Sequence, residues 1–419
     1  MSGMSKATDG TFVSSGYGWL VRIMLSIFAG NTAMYVVNLA ILQVLLPTRV
    51  ESLDSVHKVE ILGMVTGIAA IVAIIANPLA GMLSDRTVGK FGRRTPWIVT
   101  GAIAVFAALA YMAEQQTVFG IVLGMCLLQA SMNTYQSAIF AVVPDRVPSR
   151  WRGLASSMMG LAFPAGSIVG TAIASRFVGD TSGYYLLGGI TLATAILFVL
   201  LNPDTAVSRG AKASRVSLIV AARQFFSALS HRDFFWVFFS RLMMVIAFMS
   251  LAGYQFYLLK DFIKLPEDVS PTQALVSINI FAMMAMAAST LLGGVVSDWL
   301  GKRRFLVFIS AMCMSCAAVI PFIYPTYNGM LAFGILNSLG FGCYMAVDAA
   351  LATEVLPDPT SQARDLGIMN IASAAAQVVS PLIASLIIVH LGGYASLLIC
   401  SASFALLSAL SVYGVKGVK

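Results

Sequence analysis

One carboxylate in this chain stands apart from the other acids. Of 18 Asp and Glu residues, eight fall on one set of loops and span edges and nine on the opposite set, which leaves Asp348 well inside an apolar run. A carboxylate at membrane depth costs about 2.5 to 3.5 kcal/mol on insertion scales, so its presence asks for a partner or a function. Arg241 is the cation placed to answer it. Counting from the ends of their runs at 1.5 Å per residue puts Asp348 roughly 12 Å and Arg241 roughly 10 Å from the same surface. Two chemistries suit such a pair: reversible protonation of the carboxylate, or a permanent buried ion pair that only fixes one helix against another.

Amides form the second set of candidates. Helical spacing puts Asn31, Tyr35 and Asn38 on one face, Gln129, Asn133 and Gln136 on another, and Asn337, Tyr344 and Asp348 on a third. Arg241 and Gln255 share a fourth. Gln377, Asn370 and Asn279 are weaker additions. Amides and hydroxyls match a neutral, many-hydroxyl solute, while any one of these side chains serves equally well as a hydrogen bond holding two helices together.

The elements that position these residues follow from composition. The 419 residues are 58% hydrophobic and 11% charged, with a mean hydropathy of +0.86. That apolar surface exceeds what a soluble core of this size hides, so the expected solvent is lipid. Twelve apolar segments are long enough to cross about 30 Å of hydrocarbon as helices: 20–46, 60–83, 97–114, 117–143, 153–178 and 184–201, then 234–259, 272–296, 304–324, 329–356, 366–390 and 393–415. The expected fold is an all-α membrane protein of two pseudo-symmetric six-helix bundles. The domains are 1–201, a linker 202–233 and 234–419, and Ser217–Ser230 in the linker has the pattern of an amphipathic helix.

With both termini inside, 20 of the 26 Lys and Arg residues fall on the inner side and five on the outer (Arg49, Lys58, Arg176, Lys260, Lys264). The bias predicts cytoplasmic termini. The net charge of +8 is therefore a topology signal and predicts no nucleic-acid partner. All five Trp lie at the inner boundary, and the five Cys lie inside apolar spans. Neither metal-spaced His clusters nor a nucleophile elbow or phosphate loop occurs, so no enzyme activity, cofactor or metal is expected.

The halves repeat. GMLSDRTVGKFGRR at 81–94 returns as GVVSDWLGKRR at 294–304, with Asp85 and Asp298 213 residues apart, and Pro144 and Pro357 keep the same offset. In such a turn Gly81 allows close helix approach, Asp85 can face a helix N-terminus, and Arg86, Arg93 and Arg94 can pair with acids on neighbouring ends, forming a breakable latch. With Gly92 and Asp298 these residues form the expected cytoplasmic gate, leaning on the better-kept first copy.

The two loops resemble those between helices 2 and 3 and between helices 8 and 9 of the major facilitator superfamily, and the span count and linker agree over the whole chain. The form SDRTVGKFGRRTPW is most similar to the sucrose carriers and the glycoside-pentoside-hexuronide carriers. The resemblance implies a secondary transporter in which two halves rock about a cavity lined by spans 1, 4, 7 and 10, where the amide faces would meet a small solute. It implies a plasma (cell inner) membrane protein, monomeric, surrounded by lipid, with no cofactor. Two departures matter. Sodium-coupled melibiose-type carriers have aspartates in helix 2, where AIVAIIANPLAG has Ala73 and Asn77; plant sucrose carriers have an acid in helix 4, where Gln129 stands. The expectation is proton-coupled sugar or glycoside symport, with Asp348 and Arg241 as the coupling pair. The alternative is export of drugs or amphipathic metabolites by proton antiport, to which 22 Met lend support and against which Phe163 before Pro164 departs from the drug-antiporter pattern in helix 5.

Overall fold

The computed structural model describes residues 13–87, 89, 91–204, 229–355 and 362–415. Among them are twelve helices long and apolar enough to cross a membrane. We number them α1 (Val13–Ala40), α2 (Lys58–Arg86), α3 (Thr95–Glu114), α4 (Val118–Arg146), α5 (Arg152–Arg176), α6 (Ser182–Leu201), α7 (Arg232–Asp261), α8 (Pro271–Leu300), α9 (Arg303–Ile323), α10 (Tyr327–Glu354), α11 (Gln362–His390) and α12 (Gly393–Ser411). Each expected span is found, with ends extended by a turn or less in most cases. The exception is α1. It passes Pro47 through a π-helical turn, Ile41–Leu45, and continues as Leu46–Leu53. The Leu46 amide donates to the Ile41 carbonyl five residues back, and a wider turn of this kind carries a helix past a residue with no amide of its own.

Helix starts repeat between the halves as the loops do. Thr117 caps α4 by accepting from the Gly120 amide, and Thr326 caps α10 by accepting from the Gly329 amide. The expected amphipathic helix at Ser217–Ser230 falls almost entirely outside the described residues.

Packing shows the pseudo-symmetry directly. In the first half α1 packs on α5 and α6, α2 on α4, α3 on α4 and α6; in the second α7 packs on α11 and α12, α8 on α10, α9 on α10 and α12. Every pairing maps onto its partner by adding six. The main contacts between halves, α2 with α11 and α5 with α8, exchange under the same operation.

With twelve spans between them, the start of α1 and the end of α12 lie on one side, here the terminal face; the other is the distal face. The α2–α11 contact is made toward the distal face. A Cβ on Gly63 would come within 2.6 Å of Ser385 Cβ and 2.8 Å of the Tyr254 hydroxyl. Only glycine allows that approach. Further along the same helix, Gly81 has nothing within 4 Å of its Cβ position. The close approach expected there is absent from this conformation: the Gly81 face of α2 meets no neighbour, although Ser84 and Asp85 one turn on are bonded to Arg94.

Candidate functional site

Arg241 and Asp348 do meet. On α7 and α10, Arg241 donates from Nε and Nη2 to Asp348 Oδ2 at 2.7 and 2.5 Å, and the Tyr344 hydroxyl, one turn away on α10, donates to Asp348 Oδ1 at 2.9 Å. All three side chains are buried, Asp348 at 5% exposure and Arg241 at 8%. Both carboxylate oxygens therefore have donors and the buried charge is paired, which is the condition for keeping ions inside a low-dielectric core. Toward the distal face the rings of Phe248 and Phe341 stack with centroids 3.9 Å apart, holding α7 and α10 in register beside the pair.

The repeat places Tyr135 of α4 where Asp348 stands. Tyr135 is fully buried and donates its hydroxyl to the Gly30 carbonyl of α1 at 3.2 Å. The same helix crossing is thus made by a neutral hydrogen bond in one half and by an ion pair in the other.

The amides divide. Asn77 Nδ2 of α2 donates to Asn133 Oδ1 at 3.1 Å and to Gln136 Oε1 at 3.5 Å, and Asn133 donates in turn to the Gln129 carbonyl. All are partly accessible, and they form a small polar cluster on α2 and α4. Asn77 is legible in the sequence by its place immediately before Pro78 in an otherwise apolar helix. The α1 face is less uniform than its spacing suggests. Asn31 is sealed from solvent and donates to its own helix at Ile27, leaving Oδ1 without a partner; Tyr35 packs edge to face on Phe163; Asn38 is half-buried. Asn337 is buried, Gln255 half-buried, and Gln377 and Asn370 exposed on α11. Asn279 is drawn into a contact between the halves, donating to Gln43 Oε1 in the π-helical turn at 2.7 Å.

The 81–94 loop binds within its own half. Arg94, 6% exposed, donates from Nε to Asp145 at 2.7 Å, from Nη1 to the Ser84 hydroxyl at 2.9 Å and from Nη2 to Asp85 at 2.6 Å. Burial works against its charge, but the carboxylates of Asp145 and Asp85 hold its pKa above the ordinary arginine value. Gly92 has φ +77°, and a Cβ there would fall 2.2 Å from Asp204 Cγ. That backbone aims the amides of Arg93 and Arg94 at Asp204 Oδ2, each at 3.0 Å. The ends of α2, α3, α4 and α6 are stapled together. Asp85 pairs with Arg94, the N-cap residue of α3, and Arg86 is exposed. In the second half Arg303 pairs with Glu354; the side chain of Asp298 lies outside the described residues. At the terminal face the ion pairs of Arg94 and of Arg303 each stay within their own half.

At the distal face they do cross, through residues that the sequence reading counted only as topology charges. Lys58 donates to Glu51 at 2.8 Å and lies 2.8 Å from Asp261; Lys260 donates to Glu51 at 2.7 Å; the Tyr394 hydroxyl donates to Asp261 at 2.9 Å. Lys58 also lies over the Tyr257 ring, whose hydroxyl reaches the Pro47 carbonyl at 2.8 Å. Tyr254 and Ser385 both donate to the Val59 carbonyl. Each half supplies one cation and one anion, and the two cross-half pairs are Lys58 with Asp261 and Lys260 with Glu51. A signal existed: the distal ends of spans 1 and 7, equivalent in the repeat, carry Glu51 and the Lys260–Asp261 pair.

Comparison with known proteins agrees with this geometry. Residues 23–333 and 265–416 match the family model described as Major Facilitator Superfamily. A stretch of 140 residues is 27% identical to Sucrose transport protein SUC4 of Arabidopsis thaliana, covering 29% of this chain and 26% of that protein. Over 95% of its length the chain superposes on a bacterial homolog of the human lysosomal transporter Spinster, in an inward-facing and unoccupied conformation, with TM-score 0.68, 12% identity and 95% of that chain covered. It also superposes on a peptide transporter POT in complex with sulfate, with TM-score 0.72, 12% identity and 95% and 94% coverage. Twelve spanning helices, halves related by exchange and a family match over nearly the whole chain place this multi-pass membrane protein in the major facilitator superfamily of transporters.

Proposed function

We propose that this transporter is a proton-coupled symporter of a neutral polyhydroxylated solute, a sugar or glycoside, working as a monomer in the plasma (cell inner) membrane with both termini cytoplasmic. Residues 1–201 and 234–419 are the two moving halves and 202–233 the linker. The observation that carries the coupling is the buried Arg241–Asp348–Tyr344 triad. In the paired state Asp348 is ionised and its charge is met by Arg241. A proton taken up on the carboxylate removes that attraction and releases α10 from α7, and return of the pair expels the proton. Each charge moved through the membrane is worth about 2.3 kcal/mol per 100 mV, which is ample to drive accumulation.

The solute class is supported by the Asn77–Asn133–Gln136 cluster, which offers donors and acceptors with no net charge, and by the stretch similar to a sucrose transport protein. The gates are read from the two faces. The distal clamp of Glu51, Lys58, Lys260 and Asp261 closes the outside in this conformation. The stapled 81–94 loop and its counterpart at Asp298 form rims that approach when the inside closes, and Gly81 is the point at which α2 then meets its neighbour.

Reconstituted vesicles test the coupling. Asp348→Asn should abolish proton-driven accumulation while leaving solute exchange intact; accumulation at the wild-type level would refute the assignment. A thermal-shift screen with sugars, glycosides and cationic dyes tests the solute class, and stabilisation by dyes alone would turn the reading toward export.

A further inference from the structure

Asn370 and Gln377 lie two turns apart on one face of α11, both exposed, and neither makes a hydrogen bond among the described residues. That face sits between two packed ones. On one side Ala376 packs with Val245 and Ile246 of α7; on the other Leu382 and Ser385 meet Gly67 and Gly63 of α2. The exposed apolar residues Val379 and Leu386 fall on the opposite side of the helix, the one suited to lipid. Unpartnered amides within a membrane span belong to a water-filled opening, so α11 turns them toward the space between the halves.

The register of the α2–α11 contact fixes what stands across that space. Gly63 faces Ser385 and Gly67 faces Leu382, so the helices run antiparallel, and carrying the register on brings Asn77 level with Ile371 and Ala372. At 1.5 Å per residue, Asn370 is then about 2 Å from the level of Asn77 and Gln377 about 8 Å toward the distal face. Asn77 already joins Asn133 and Gln136. In the second half α10 offers less: Asn337 is buried and Tyr344 is bonded to Asp348. Nor does the fold itself require the α11 pair. Matching the prolines inside the equivalent helices, Pro381 of α11 and Pro164 of α5, sets Gln377 against Gly160 and Asn370 against Gly153, each with open space at its Cβ position.

We propose that Asn370 and Gln377 form the second-half wall of the solute site. When the inside closes and α2 meets α11 along its whole length, they come against Asn77. On the reading of the solute as a sugar or glycoside, they then take hydroxyls of the molecule that Asn77, Asn133 and Gln136 hold from the first half. Solute binding and coupling thus sit on separate helices of the second half, α11 and α10.

Two measurements test this. In a chain with its five cysteines replaced by serine, a short irreversible bismaleimide should bridge Asn77→Cys and Asn370→Cys, capturing the closed state however seldom it is visited, and should not bridge Asn77→Cys and Val379→Cys. This bridge needs no solute. Its absence after prolonged exposure, while both single-cysteine chains react with a monofunctional maleimide, would overturn the proposal. Calorimetric titration of the purified chain with sucrose and with p-nitrophenyl glucosides reads the grip. Asn370→Ala and Gln377→Ala should each weaken binding about fivefold to tenfold, the worth of one hydrogen bond, at unchanged thermal stability, and Val379→Ala should leave it unaltered. Undiminished binding in both amide variants, or an equal loss in Val379→Ala, would also overturn it. A wild type that binds none of these sugars refutes the solute reading instead, and the bridge alone then decides whether α11 meets Asn77.

Discussion

The two faces of this molecule use similar charges for opposite purposes. At the distal face Lys58 and Lys260 reach carboxylates of the other half. At the terminal face Arg94 and Arg303 reach carboxylates of their own half. The first arrangement resists separation of the halves; the second ties each rim together within its own half. A strongly charged loop is thus not a lock between halves merely because it is charged, and in this conformation the lock is elsewhere.

The contrast can be broken most severely at Lys58. Replacing it with Glu would set three carboxylates together, turning the cross-half attraction to Asp261 and the in-half attraction to Glu51 into repulsions and leaving Lys260 as the one cation of the clamp. With pairs of this partial exposure worth roughly 1 kcal/mol each and like-charge repulsion of similar size, the balance between conformations should shift by about tenfold to a hundredfold. Transport should fall accordingly and recover in part when Asp261→Lys is added; absence of any recovery would separate the effect from that pair. Arg94→Ala should act differently. It strips partners from Asp145, Ser84 and Asp85 and should lower stability by about 2 to 3 kcal/mol, with Asp85 half-exposed and contributing least. Thermal unfolding measures it, and the distal face should be unmoved. A variant that opened the distal face would contradict the division of labour. The smallest change in stability is expected at Gly81→Leu, within about 0.5 kcal/mol, since open space surrounds that position. Its transport should nonetheless drop if α2 closes there, and unimpaired transport would remove Gly81 from the gate.

Much of this was legible in the sequence, for reasons that also explain the gaps. Twelve spans emerge from length and hydropathy because every backbone amide in lipid must be satisfied within its own helix. Arg241, Tyr344 and Asp348 were readable because an ion at membrane depth is costly and its helical spacing is fixed. Asn31 and Tyr35 were placed on an accessible face by spacing alone, but packing against neighbouring helices decides exposure, and Asn31 is sealed. The distal clamp joins residues 203 and 209 positions apart near span ends, where charges are ordinary and a tally by side absorbs them. The π-helical turn at Ile41–Leu45 has no composition of its own, and only Pro47 hints at it.

The exchange of one closed face for the other is most directly tested by distances. In a chain with its five cysteines replaced by serine, spin labels at Ser52→Cys and Glu267→Cys report the distal face, and labels at Phe91→Cys and Trp299→Cys report the two copies of the repeated loop. Introducing Lys58→Glu should lengthen the distal distance and shorten the terminal one together. A distal distance that lengthens while the terminal one stays fixed, or two distances that do not respond at all, would contradict the account.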